Sequence, residues 1–331
     1  MKAKTKLIHL GFICAISMAT MSSNADEVKL NAVSFLPRTS DITQTFINFI
    51  DEVNKKGEGV VKINYLGGPE TIPSSKLAQA VSNGTVDLAY ITPGRFTGSV
   101  PEADALLGSN LSIKTLHENG AMDLLDETMQ EQINSHLLAA FLTGTGYHIY
   151  LTDAPAFDSE GMPDLSNVPI RTSATYREFL ELLGANPVSI AAPEIYTALE
   201  RGIVDGLAWP SYGITDLGIE GLINYRIDPT FFNANNVVMI NNDTWQNLPQ
   251  ETQEMVTDIA RKHEHESTEF IRNVVEMEEQ KLLENGAQFI DVKINPEIYK
   301  NRAAQTVWDR IAARAPRTVD EYKKLFFKSV E

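Results

Sequence analysis

The stretch from Val168 to Pro210 constrains the fold of this chain more than any other. It alternates segments of two kinds. Val168-Pro-Ile-Arg171 is followed by a helical patch, then by Leu182-Leu-Gly-Ala-Asn-Pro-Val-Ser-Ile190. A second helical run, Ala192-Pro-Glu-Ile-Tyr-Thr-Ala-Leu-Glu-Arg-Gly202, leads into Ile203-Val-Asp-Gly-Leu-Ala-Trp-Pro210. The apolar run before Asn186-Pro187 cannot continue as helix, because a residue before proline is pushed out of the α region. Gly202 after Ala-Leu-Glu-Arg is the usual left-handed stop. The order strand, helix, strand, helix, strand predicts parallel strands with helices on their faces. Arg171 closes the first strand and Trp209 the last. Ligands of open α/β sheets sit beyond the carboxyl ends of strands, so both side chains are candidates for one crevice.

The same pattern echoes earlier. Ala80-Val-Ser-Asn-Gly-Thr-Val-Asp87 aligns without a gap on Ala198-Leu-Glu-Arg-Gly-Ile-Val-Asp205. Both read as helix end, glycine stop and buried strand, which predicts two similar α/β lobes. Strands are expected at Val28–Phe35, Val60–Leu66 and Asp87–Thr92, with a helix from Asp41 to about Lys55 and another capped by Ser74 or Ser75. Helices with breaks follow from Pro101 to Ser135, then strands and the crossing between lobes from Leu137 to Thr152. A strand around Val237 precedes a long helix from about Leu248 to Glu284, with Ile259, Phe270, Val274, Met277 and Leu282 as its apolar side. A strand at Gln288–Val292 and two helices finish the chain. With 331 residues there is room for two cored lobes.

The first residues read as an export signal. Lys2, Lys4 and Lys6 precede an apolar run, Leu7 to Met21, too short to span a bilayer. Ser23-Asn-Ala25 offers small residues for cleavage, so residues 1–25 are expected to be removed and the mature chain to begin at Asp26. Cys14, the one cysteine, would go with them, leaving an exported protein stabilised by its core alone. The formal charge is −16, which argues against nucleic acid and anionic membrane surfaces as partners. It leaves room for a small anionic ligand held at a local positive site.

The ordered set of an export signal, a strand ending in Ile-Arg171, Leu183-Gly-Ala-Asn-Pro-Val, Glu194-Ile-Tyr-Thr-Ala-Leu-Glu-Arg-Gly-Ile-Val-Asp-Gly206 and the helix entry Trp245-Gln-Asn-Leu-Pro-Gln-Glu resembles the periplasmic solute-binding proteins of TRAP transporters, the C4-dicarboxylate-binding family. The resemblance covers essentially the whole mature chain. It implies an α/β, two-lobed periplasmic-binding-protein fold with a long helix crossing both lobes. On that plan lobe I takes residues 26–148 plus about 236–270, and lobe II takes 149–235 plus about 271–331. It implies no enzyme but a receptor that binds a small organic anion and delivers it to the membrane subunits of a TRAP transporter, with no insertion into the membrane itself. A sensor module for a membrane kinase is the alternative. It also implies that Arg171 holds the ligand's carboxylate, for which a guanidinium fork is suited. An empty cleft would then stay open and wet, and ligand would favour closure.

Two departures narrow the ligand. Sugar-acid-binding relatives tend to have asparagine where this chain has Trp209, and the second arginine of some relatives is missing from Tyr150-Leu-Thr-Asp-Ala-Pro155. Trp209 and Phe231 offer apolar faces instead. These changes suggest an oxo or aromatic acid, or a sulfonate. Thr92 aligns with a ligand-contact position of the family. Tyr90, Phe35 and Arg38 end strands on the expected cleft side, and Tyr90 could equally be core. Arg95 is either a second anion contact or an ion-pair partner of Glu102 or Asp104. Tyr147, Thr175, Tyr212 and Asn233 complete the candidates.

Other motifs are weaker. His263-Glu-His265-Glu lacks the spacing of a helical zinc pair, because Ser267 stands where the second histidine would be, and it reads as a solvated face. Gly144-Thr-Gly146 is an isolated turn rather than a dinucleotide fingerprint. No nucleophile–base pair, phosphate loop, cofactor motif or metal-ligand spacing stands out, so neither cofactor nor metal is expected.

Overall fold

Strand and helix alternate through residues 27–328, which the computed structural model describes. The export signal assigned to residues 1–25 lies outside them. β1 (Val28–Ser34), α1 (Asp41–Lys56), β2 (Val61–Gly67), α2 (Leu77–Ser82) and β3 (Leu88–Ile91) form the first unit. Short helices α3 (Ala105–Gly108), α4 (Ile113–Glu118) and α5 (Ala121–Ile133) lead to β4 (Ser135–Leu151). A small ribbon, β5 (Ala156–Phe157) and β6 (Pro163–Asp164), precedes the second unit: β7 (Pro169–Thr172), α6 (Arg177–Leu182), β8 (Asn186–Ser189), α7 (Ile195–Glu200) and β9 (Gly206–Pro210). Then come β10 (Tyr225–Asp228), β11 (Asn233–Asn241), α8 (Asn242–Gln246), α9 (Gln250–Glu284), β12 (Gln288–Asp291), α10 (Pro296–Arg314) and α11 (Val319–Phe326). No helix of the described residues is long and apolar enough to cross a membrane.

The internal echo is structural. Gly84 and Gly202 have φ of 71° and 64°, the left-handed region where glycine avoids a Cβ clash. In each copy the two residues after the glycine donate back to the helix, Thr85 and Val86 to Ala80 O, Ile203 and Val204 to Ala198 O. The strand that follows lies parallel to the strand before the helix pair, β3 on β1 and β9 on β7. Neither Ser74 nor Ser75 caps α2; Lys76 occupies the N-cap position without a side-chain bond.

The strands run in the order β2-β1-β3-β11-β4-β9-β7-β8, with β10 on the far end of β4 and β12 beyond it. β4 is one strand of 17 residues where a broken pair was expected, and it serves both lobes. Its first part, Ser135 to Gly146, pairs with β11, and Tyr147 to Leu151 pair with β9. A Cβ on Gly146 would lie 2.4 Å from Phe232 O, so the changeover admits only glycine. The register slips within the β11 pairing, and Leu142 adopts φ 61°. Such a bulge turns backbone N–H groups out of the ladder, and they need other acceptors.

α9, 35 residues long, supplies them. Glu264 Oε1 accepts from Ala140 N at 2.8 Å, and Ser267 Oγ accepts from Leu142 N at 3.2 Å. Fourteen residues on, Glu278 accepts from Gly213 N and Ile214 N at 2.8 and 2.9 Å, just after β9. One helix thus grips both lobes through carboxylates. Its buried face includes Val256, Ile259, Ala260, His263, Ile271, Val274 and Leu282. Two expectations need correction. Met277 is 64% exposed. His263-Glu264 is not a solvated face: His263 packs edge-on to Phe49 of α1 and bonds Glu52 at 3.0 Å, while Glu264 is buried. Neighbouring positions on a helix lie about 100° apart, so this pair turns inward while His265 and Glu266 face solvent.

α10 packs on α3 and on the turn Pro101–Asp104, and also touches α6. Its Arg310 joins the two sides. Nε meets Asp104 Oδ2 at 2.8 Å, and Nη1 meets Glu178 Oε2 of α6 at 2.8 Å.

Candidate ligand-binding cleft

Arg171 is the penultimate residue of β7, between parallel β8 and β9. Its side chain is anchored where three strand ends converge. Nε donates to Ile190 O at 3.0 Å, just past β8, and Nη1 donates to Tyr176 Oη at 2.5 Å. Cζ lies 5.1 Å from the ring centroid of Trp209 on β9. The residue is only 7% exposed. Arg226 and Arg310, whose side chains are also nearly buried, each hold two acidic partners. Arg171 has no carboxylate partner among the described residues. A buried cation held only by neutral acceptors and an indole face keeps its charge uncompensated.

Uncommitted hydroxyls surround it. Tyr147 stacks obliquely on Tyr176 and Phe231, at 5.4 and 6.0 Å. Burial pushes its phenol well above the ordinary range; Tyr176 and Asp104 add to that and the Arg171 charge opposes it. Tyr212 is buried, and its phenol is raised chiefly by that burial, with Tyr147 and Tyr90 adding. Neither the Tyr147 nor the Tyr212 hydroxyl has a hydrogen-bond partner among the described residues, and the same holds for the Trp209 indole N–H. Tyr147 and Trp209 are only partly buried, so their unpaired donors and the uncompensated Arg171 cation beside them can meet an anion.

The structure sorts the other candidates. Phe231 belongs with Tyr147 and Tyr176. Phe35 lies at the end of β1, edge-on to Tyr90 at 6.0 Å. Tyr90 is core: it is fully buried against Phe46 and Phe141, and its hydroxyl is engaged by Thr45 at 3.2 Å and Asn236 at 3.4 Å. Thr92 occupies the position before the turn Pro93–Arg95, without a side-chain capping bond, and is partly exposed. Beside it, a Cβ placed on Gly94 would lie 3.2 Å from Thr175 Oγ1, so the two rims touch and the cleft is closed here rather than open. Arg95 is exposed and makes neither expected ion pair; Asp104 is taken by Arg310, and Glu102 accepts from Thr318 at 2.7 Å. Arg38 is exposed over the Tyr65 ring. Asn233 lies apart from Arg171 and donates to Ser109 O at 2.6 Å. Tyr176 was missed by sequence reasoning, because no periodicity marks a residue that turns back through a loop.

Asn233 lines a groove of about 1010 Å³ between α3, α4, α9, α10 and the β4–β11 crossing, which Phe231 also borders. Charge favours the Arg171 cleft over this groove. In the groove, buried Glu264 is already met by His117, Arg261 and Ala140 N, so no buried charge awaits a partner. Glu52, His263 and Glu266 place ligand atoms within 4.8 Å of one another. The Lys262 ammonium already bridges the two carboxylates, at 2.6 and 3.3 Å, and supplies the positive charge a metal would bring.

A profile of the bacterial extracellular solute-binding proteins, family 7, matches residues 32–315. The ectoine-binding periplasmic protein TeaA of Halomonas elongata is 24% identical over 284 residues, 79% of this chain and 77% of that protein. The crystal structure of DctP7 from Bordetella pertussis, an extracytoplasmic solute receptor binding pyroglutamic acid, superimposes with a TM-score of 0.75 at 19% identity, covering 90% of this chain and 99% of that one. A TRAP transporter solute-binding protein from Bordetella bronchiseptica, with calcium and picolinate bound, gives a TM-score of 0.75 at 21% identity, covering 91% and 92%.

Proposed function

The chain belongs to the bacterial extracellular solute-binding proteins of family 7, and on that premise we propose that it is an exported periplasmic receptor. It captures a small organic monoanion between its lobes and hands it to the membrane subunits of a TRAP transporter. The observation that carries this reading is the buried guanidinium of Arg171 without a carboxylate partner among the described residues. Trp209, Tyr147, Tyr212 and Phe231 would surround the rest of the ligand. Aromatic side chains next to one cation suit an acid with a flat, weakly polar body, such as a 2-oxo acid, pyroglutamate or picolinate, better than a polyhydroxylated sugar acid. Residues 26–148 with about 236–270 would form lobe I and the remainder of the mature chain lobe II, with α10 bridging through Arg310.

A thermal-shift screen of residues 26–331 against carboxylates and sulfonates tests this reading. A true ligand at a hundred times its Kd stabilises by about 2.7 kcal/mol, which raises Tm by roughly 4 °C in a chain of this size. Glucuronate is expected to give a smaller shift than picolinate or 2-oxobutyrate. A panel in which no organic anion raises Tm would sink the proposal.

A further inference from the structure

We propose that Tyr176 is the positioning residue of the anion site, fixing the Arg171 guanidinium so that a carboxylate can be gripped only across its Nη1–Nη2 end. This rests on the reading of the cleft as an anion site.

A guanidinium has five N–H donors, and a carboxylate can approach it side-on, across Nε and Nη2, or end-on, across Nη1 and Nη2. Here Nε is engaged by Ile190 O at 3.0 Å, which closes the side-on fork. One Nη1 hydrogen is engaged by Tyr176 Oη. Three donors are left, one on Nη1 and two on Nη2. The direction of the Tyr176 bond is settled by its second partner. Its hydroxyl lies 2.7 Å from Ala208 O, which can only accept, so the phenol proton goes there and its lone pair faces Arg171. The ring cannot swing away: Tyr176 is 2% exposed, with Tyr147 at 5.4 Å and Phe231 edge-on at 6.3 Å. Burial also keeps the phenol protonated, and a phenolate here would neutralise the charge the ligand needs.

The geometry therefore depends on strand register. Arg171 pairs with Val188 of β8 and Leu207 of β9, which brings Ile190 O to Nε and Ala208 O to the Tyr176 hydroxyl. A fixed planar end offers two coplanar donors. They match two oxygens of an acid group lying in one plane, through two parallel hydrogen bonds. Tyr176 thus sets the direction from which the acid is gripped without touching it.

Nitrogen-15 NMR of the arginine side chains tests this without any ligand. The wild-type protein should show separate Nη1 and Nη2 signals for Arg171, identified by their loss in Arg171→Lys, because rotation about Nε–Cζ is blocked. Tyr176→Phe keeps the packed ring and should merge them. Separate signals persisting in Tyr176→Phe, or one averaged signal in the wild type, would overturn the proposal. Calorimetry with picolinate adds a binding readout. Tyr176→Phe should weaken picolinate by roughly tenfold, the scale of one hydrogen bond to a charged group. An unchanged picolinate affinity would overturn the positioning role. Failure of every organic anion to bind the wild type would defeat the anion-site reading, while the NMR result would still decide the role of Tyr176.

Discussion

A buried arginine with only neutral neighbours raises the energy of the empty protein, and this is where the proposed role of residue 171 has its strongest consequence. Arg171→Ala removes a charge that no carboxylate of the described residues compensates. The ligand-free variant should therefore melt no lower than the wild type, since no buried partner charge is orphaned. Its affinity for an organic anion should fall by about 2–5 kcal/mol, the cost of truncating one side of a desolvated charge pair. Calorimetry and melting curves on the same two proteins separate these effects. A structural arginine would give the reverse pattern, with a lower Tm and little change in affinity. Arg171 and Trp209 could be read as neighbours from sequence, because each ends a strand of one unit. Tyr176 could not: its hydroxyl reaches the guanidinium only because the loop after β7 folds back over the strand end.

At the scale of elements, α9 was foreseen as a long helix, but its inward face was misread. Apolar spacing marked Ile259, Val274 and Leu282 correctly and placed Met277 on the wrong side. Spacing could not mark Glu264 and Glu278, because their burial answers backbone N–H groups of β4 and of the loop after β9, partners set by the fold rather than by local sequence. The contact of α1 with α9 carries a pH signature. The Lys262 ammonium, with Lys56 and His263, outweighs burial and lowers Glu52 from the usual 4.5 to about 2. A depressed carboxylate contributes stability above its unfolded pKa and loses it as pH falls through the folded value. The α1–α9 tie should therefore weaken as pH drops from about 4.5 towards 2. Glu52→Gln should be less stable than the wild type near neutrality and lose less on acidification. Melting curves in steps from pH 5 to pH 2 would show it, and parallel pH profiles for the two proteins would refute it.

For the whole molecule, the point of interest is the bridge through Arg310. It ties Asp104, before α3, to Glu178 of α6, near where the Gly94 and Thr175 rims meet. Asp104 is buried, so removing Arg310 would leave a charge stranded in the core. Glu178 is partly exposed, and Glu178→Gln releases only the second-lobe end of the bridge. This variant should keep its ligand-free Tm and bind organic anions more weakly, because part of the attraction favouring the closed form is gone. Small-angle scattering should report a larger ligand-free radius than for the wild type. An unchanged radius together with unchanged affinity would show that the bridge does not favour closure.

Local sequence settled the elements and their order. Proline and glycine punctuation set where helices stop, and the repeated Ala-x-x-x-Gly-x-Val-Asp turn announced two related units, because such turns depend on contacts within a few residues. The ends of β7 and β9 followed from the same rules. Tertiary structure alone decided which polar groups were left without partners. Whether Arg171 meets a carboxylate, whether the hydroxyls of Tyr90 and Tyr176 are engaged and those of Tyr147 and Tyr212 free, and which acids of α9 turn inward all depend on segments far apart in the chain. Hydrogen-bond satisfaction is a property of the packed whole, and a sequence shows the donors without showing what they meet.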